Sequence, residues 1–500
     1  MRKIVTLGSL IVLINACNFG SKSEEEQLAQ RYCGGCHEMP SPSLLDKKTW
    51  KEGVLPKMAL RLGMEPAPTM SLDGQLSPDE IIALSQANIY PDAPILSKVE
   101  WEKIIKFYLD KAPEKLPDSS KNYPISNDLA LFSPKVEVPD VEKLPMVSML
   151  KFDDKAQKLY VGSRTGNIYI LNNKFKQIDS ISVGSAPSEV HFNNDGSLEA
   201  LVMGIMDPND KMTGSMVKFQ KSADGKKWDS KTLISNLRRP VNHYFSDVDG
   251  DGLEDVMMCE FGFHLGQFSW YKQLSNHTYQ AFQLEGIPGA RVVHPYDFNR
   301  DGKLDYFVLL AQGDEQMTVY YNRGGGRFEK KVLLRFPPVY GSSYAELADI
   351  NKDGNIDILY TNGDNADYSM ILKPYHGVRI FLNDGHLHFK ESYFFGLNGA
   401  AKAFAEDFDK DGDVDIAAIS YFPAKPQEGF VFLENQGNLK FKAKTFAQPR
   451  QDKWMLMEKA DYDRDGDTDL LLGYLERPPY HHPINQSLRG FWVLENKKQK

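Results

Sequence analysis

Five hundred residues exceed what one hydrophobic core usually organises, so length alone predicts two or more domains. Charged residues at 25% and hydrophobic residues at 41% exclude a disordered or membrane-embedded chain, and a net charge of −9 without any Lys/Arg-rich run argues against a nucleic-acid partner. Of the four cysteines, Cys17 stands alone, Cys33 and Cys36 form a close pair, and Cys259 lies in the apolar run Val256–Cys259 as a small hydrophobe. No structural disulfide is expected.

Arg2 and Lys3 precede an apolar stretch from Ile4 to Ile14, which reads as a signal peptide over residues 1–16, too short to span a membrane. Ile14-Asn15-Ala16-Cys17 resembles a bacterial lipobox, in which Cys17 is lipidated and becomes the mature N-terminus; Asn15 departs from the usual residue there. The alternative is a secreted protein cleaved nearby. Residues 17–26 form a polar tether, and Ser21–Glu26 resembles the Ser-plus-acidic export tag of Bacteroidetes surface lipoproteins. The resemblance implies a lipid-anchored outer-membrane protein facing the periplasm or the cell surface.

Residues 27–116 read as a small all-α domain. Cys33-Gly34-Gly35-Cys36-His37 is a C-x-x-C-H motif, in which two thiols add across the haem vinyl groups and the adjacent imidazole becomes the proximal iron ligand. A zinc site would need a second Cys/His pair nearby, and none follows. The spacing of Trp50, Val54, Leu55, Met58 and Leu62 predicts a helix over 47–62, broken by Pro56. Ser77-Pro78-Asp79-Glu80 opens a helix running to Ala87, and Ser97 caps another over 98–111 that presents Trp101, Ile104, Ile105, Tyr108 and Leu109. This order resembles class I cytochrome c domains over about ninety residues: haem motif on the first helix, then a Trp-x-x-x-Val…Met helix, then an aromatic C-terminal helix. The resemblance implies one covalent haem c with Met58 as sixth ligand, Met64 and Met70 being the alternatives. Met39 is too close to His37 to reach the far face.

Residues 117–128 read as a polar linker, after which the chain repeats through residues 129–500. The repeat is D-x-[DN]-x-D-G-x-x-D, found as Asp247-Asp249-Asp251-Asp255, Asp297-Asn299-Asp301-Asp305, Asp349-Asn351-Asp353-Asp357, Asp407-Asp409-Asp411-Asp415 and Asp461-Asp463-Asp465-Asp469. Starts lie 50, 52, 58 and 54 residues apart, which suits a four-stranded unit. A degenerate copy begins at His191 and is expected to bind no ion; a weaker one sits at Phe152-Asp153-Asp154. Oxygens at alternate positions around a glycine turn suit Ca2+, about five ions in all, although the ninth-position ligand and flanking strands depart from an EF-hand. These residues resemble FG-GAP/VCBS repeats, which build β-propellers like the integrin α-subunit head. The expected fold is therefore a small all-α cytochrome c domain followed by an all-β seven-bladed propeller. The ring closes either with Leu129–Phe132 or with the strand 490–495.

If the acidic loops lie on one face of the disc, the loops after each second strand lie on the other. Those loops carry His264, Gln312, Glu315, Asp364, Asn365, Asp367, His376 and His481 as a candidate ligand face. No Ser-His-Asp spacing, phosphate loop or zinc-protease motif is present, and no catalytic residue is assigned. The leading expectation is an electron carrier with a redox partner protein, its propeller binding that partner, a glycan or a small molecule. The alternatives are a haem-coupled oxidoreductase similar to the quinoprotein dehydrogenases, whose propellers differ in lacking an Asp-rich loop in each blade, and a glycan-binding or glycan-lyase propeller.

Overall fold

The computed structural model describes residues 22–66, 70–71, 74–118, 123–137, 147–365, 370–448, 453–475 and 491–497. The signal peptide, Cys17, Asp367 and His481 lie outside the described residues. No helix among the described residues is long and apolar enough to cross a membrane.

The N-terminal domain is helical. Helix α1 (Glu24–Cys33) starts at Ser23, whose hydroxyl accepts from Glu26 N, with three glutamates in its first turn and Arg31 in its last, as the helix dipole favours. The stretch from Lys47 does not break at Pro56. Instead a π-turn over Trp50–Val54 leads directly into helix α2 (Leu55–Arg61), with Leu55 N donating to Trp50 O. Pro56 sits in the first turn of α2, where its missing N–H costs nothing; the wider turn before it keeps the helical path continuous. Helices α3 (Pro78–Gln86) and α4 (Lys98–Lys111) both begin with complete capping boxes, Ser77/Glu80 and Ser97/Glu100. The apolar face of α4, with Trp101, Ile104, Phe107 and Tyr108, closes on Trp50. Trp50 and Tyr108 touch at 4.4 Å, and their polar tips are satisfied by Pro42 O and Pro40 O.

The rest of the chain forms seven four-stranded antiparallel sheets. Their inner strands are Val147–Asp153, Pro187–Phe192, Pro240–Ser246, Ala290–Tyr296, Ser342–Ala348, Ala400–Glu406 and Trp454–Ala460. Each inner strand lies against the next, and the seventh returns to the first, so these are seven blades around one axis. Second strands such as Asp305–Leu310 and Asp357–Asn362 are buried along their whole length, which is why they read as unbroken apolar runs. Outer strands such as Phe328–Arg335 are largely exposed.

Ring closure uses neither expected segment alone. Blade 7 takes its first three strands from the C-terminus, ending with Phe491–Asn496, and its outermost strand from Phe132–Glu137. Joining the two ends of the propeller in one sheet removes a free edge. The linker before it is docked: Tyr123 packs on Phe394 and Phe395, Ser126 forms a parallel bridge with Lys444, and Leu129 N donates to Thr445 O.

Candidate functional site

The helical domain sits on the disc face opposite the acidic loops. Tyr375 Oη donates to Leu44 O at 3.1 Å, Asp210 N donates to Glu80 Oε1 at 3.3 Å, and Val339 and Ile371 pack on the helical core. At the centre of this contact is His264, which lies between Arg61 and Tyr90 at 2.8 and 3.1 Å. Burial first, then the Arg61 charge, pushes its imidazole down to about 3, so it is neutral. Arg61 donates to Nδ1, and Nε2–H donates to Tyr90 Oη. Asp210 holds that loop rigid by accepting the N–H groups of Phe263, His264 and Leu265. A residue read from sequence as part of an open ligand face is thus a joint between the domains.

The C-x-x-C-H motif ends α1 on the side facing the disc. Asp314 and Arg335 of blade 4, paired at 2.6 Å, lie within electrostatic reach of His37, as does Arg61. His37 Nδ1 donates to Glu38 O at 2.9 Å, which leaves Nε2 with its lone pair free. That second-sphere bond is what an iron-ligating imidazole requires. Cys33 is half-buried, its thiol pushed up to about 11 by burial, and Cys36 is exposed. Met39, Met58 and Met64 are partly buried against the same aromatic core, so each keeps some apolar surface exposed beside the motif. The residues present therefore fit a covalent haem: Cys33 and Cys36 for attachment, His37 as axial ligand, and Met58 or Met64 within the same cluster. The side chain of Met70 lies outside the described residues.

On the opposite face, the five acidic loops share one construction. The first aspartate turns the loop on itself: Asp247 accepts from the N–H groups of Gly250, Asp251 and Gly252, and Asp297 and Asp349 repeat two of these bonds. The fourth loop residue has positive φ in every copy, glycine in one (Gly250) but Arg300, Lys352, Lys410 and Arg464 in the others. Four non-glycine residues in a left-handed conformation mark a loop whose shape is over-determined by its surroundings. The ninth-position aspartates, Asp255, Asp305, Asp357, Asp415 and Asp469, are fully buried. Each pins the turn after the third strand by accepting from Gln273, Asn322, Asn383, Asn435 or Asn496 N at 2.7–2.9 Å. They are blade staples as well as potential ligands.

Carboxylate oxygens converge within 4.8 Å in three of these loops: Asp247/Asp249/Asp251, Asp407/Asp409/Asp415 and Asp461/Asp463/Asp465. In all three, carboxylate oxygens are buried without a hydrogen-bond donor, as cation ligands would be: Asp249 Oδ1, Asp407 Oδ1, Asp415 Oδ2 and Asp461 Oδ1. Burial and neighbouring carboxylates push Asp415 up to about 7 and Asp469 up to about 8. Blade 3 differs. There the ammonium of Lys272 bonds Asp249 and lies 2.9 Å from Asp251, so the loop carries its own counter-charge. The equivalent positions in blades 4–7 are Tyr321, Leu382, Glu434 and Glu495.

The other candidate ligand-face residues are mostly enclosed. Glu315 is buried and accepts from Gly341 N, Ser342 N and Ser342 Oγ, and His376 and Asn365 are buried as well. Asp364 lies near Arg291, and Gln312 Oε1 is buried. The residues that sequence reasoning missed are those of the domain joint (Arg61, Tyr90) and the charged lining of the central channel. Neither carries a motif; both are defined only by segments far apart in the chain.

A family model described as FG-GAP-like repeat matches residues 247–308, 297–360 and 407–472. No curated protein sequence matches the chain. Among solved structures, the chain is similar to the Neurospora crassa Pan2 WD40 domain at 9% identity, covering 75% of this chain and 99% of that one with a TM-score of 0.45. It is similar to the Dos1 propeller at 12% identity, covering 70% and 77% with a TM-score of 0.42. For the N-terminal domain of Nup159 the values are 10%, 74%, 97% and 0.42. At such scores the likeness says nothing of ligands or partners, and the blade count rests on the strand order. The larger part of this chain is a seven-bladed β-propeller carrying FG-GAP-like repeats.

Proposed function

We propose that the protein is a lipid-anchored, extracytoplasmic electron carrier, in which the helical domain holds one haem c and the propeller presents it to a partner. The observation that carries this reading is the C-x-x-C-H motif with His37 Nδ1 engaged and Nε2 bare, set against a partly exposed apolar core. Haem would supply a reversible one-electron iron couple. The chain's part is to fix the His37 tautomer through Glu38 O, to present thiols at the end of α1, and to shield one side of the site with the disc. The test is expression with a cytochrome c maturation system. The wild type should keep its α-band after acid–acetone extraction, whereas the Cys33→Ala/Cys36→Ala protein should lose all covalent haem. Equal retention in both would refute the reading.

Calcium in the acidic loops belongs to the same proposal, with the orphaned oxygens of Asp407, Asp415 and Asp461 as its support. The Lys272 ammonium makes the blade 3 loop the exception, so calorimetric titration of chelator-treated protein should count one ion fewer than the five loops. Lys272→Met should add that ion. An unchanged count would show that the lysine is displaced by the metal rather than replacing it.

A further inference from the structure

The loop after the second strand of blade 5 reaches the helical domain through Ile371 and Tyr375. Ile371 packs on the helical core, whereas Met370 and Leu372 on either side of it are 76% and 57% exposed. Asn365 ties the loop down from within: it is buried, and its Nδ2 donates to Ile371 O at 2.7 Å. Its Oδ1 is buried too and receives no hydrogen bond, which leaves an acceptor without a donor.

Asn365, Met370 and Leu372 line a cavity of about 270 Å3, which Phe422 and Pro423 of blade 6 and Lys453 at the entry to blade 7 complete. The blade 6 wall is fixed by its backbone. Tyr421 N donates to Gly399 O at 2.8 Å, and a Cβ on Gly399, whose φ is +65°, would fall 2.6 Å from Phe422 Cβ. Only glycine lets the Phe422 segment lie that close. Apolar residues scattered singly over a surface need no explanation. Apolar side chains from two neighbouring blades gathered around one hollow, with polar groups among them, are the usual form of a small-molecule site.

We propose that this cavity binds a small organic acid with an apolar body and a hydrogen-bond donor of its own, a hydroxyl or an amine. Lys453 is the one charged residue among the described lining residues, so it selects the carboxylate. Met370, Leu372, Phe422 and Pro423 take the apolar body, and the ligand's donor answers Asn365 Oδ1. The hollow is smaller than the ~300–1,000 Å3 of sites for drug-sized ligands and suits a molecule on the order of ten non-hydrogen atoms. The proposal rests on neither the haem nor the calcium.

The experiment is calorimetric titration of the full chain with 3-phenyllactate and phenylalanine. The controls are 3-phenylpropionate, which lacks the donor, 3-phenylpropan-1-ol, which lacks the carboxylate, and lactate, which lacks the apolar body. At least one of the two test acids should bind with a stoichiometry of one, and each control should bind about tenfold more weakly or not at all. Lys453→Met removes the cation, and Met370→Glu sets a carboxylate against the ligand's own. Both positions are exposed, so each variant should keep the ligand-free Tm while weakening the binding about tenfold or more. Tighter binding of 3-phenyllactate would assign a hydroxy acid, and tighter binding of phenylalanine an amino acid. The proposal is overturned if neither acid binds, if any control binds as tightly as they do, or if both variants bind as the wild type does.

Discussion

Phe132→Ala is expected to destabilise the propeller by about 3–5 kcal/mol, the usual cost of emptying a large aromatic site. Phe132 is almost fully buried and meets Phe408, Phe430 and Phe432 edge-on at 5.7–6.3 Å. It also opens the strand that pairs residue for residue with Phe491–Asn496, starting from Phe132 against Asn496. Loosening it removes contacts from blades 6 and 7 together and frees a strand edge able to pair with another chain. Urea unfolding of wild type and variant measures the loss, and light scattering should show association of the variant near its midpoint. A loss below about 1 kcal/mol would place ring closure elsewhere.

Glu315→Gln should remove a pH dependence of comparable size. Burial is the main cause that pushes the Glu315 carboxyl from 4.5 up to about 7. Between these values the native state holds a proton that the unfolded chain releases. Stability from this group is therefore intact below about pH 4.5 and is lost as pH rises through 7, on the order of 3 kcal/mol in all. The difference in unfolding free energy between wild type and Glu315→Gln, taken at saturating calcium from pH 5 to 8, should shift against the wild type as pH rises. A flat difference would mean that the donors from Gly341 and Ser342 hold the carboxylate ionised throughout.

Both residues show how far linear reading reaches. Glu315 reads as one of several polar residues in a loop after a second strand. Its role was not legible, because its partners Gly341 and Ser342 belong to the next blade. Phe132 reads as one end of a closing segment, but the strand register that seats it against Asn496 depends on the far end of the chain. His264 is the sharpest case: nothing near Phe263-His264-Leu265 signals that Arg61 and Tyr90 will enclose it.

What the sequence determined by itself is everything with a short period or a short motif. The Asp loops, the capped helices and the C-x-x-C-H motif are local, since each is specified by residues within about ten positions whose backbone geometry and chemistry are set by their neighbours. Only the tertiary structure decided that the helical domain docks on the disc and that Lys272 neutralises one acidic loop. Those outcomes depend on burial and on charges brought together from separate elements, and the Coulomb and desolvation energies that govern them follow distance in space rather than separation along the chain.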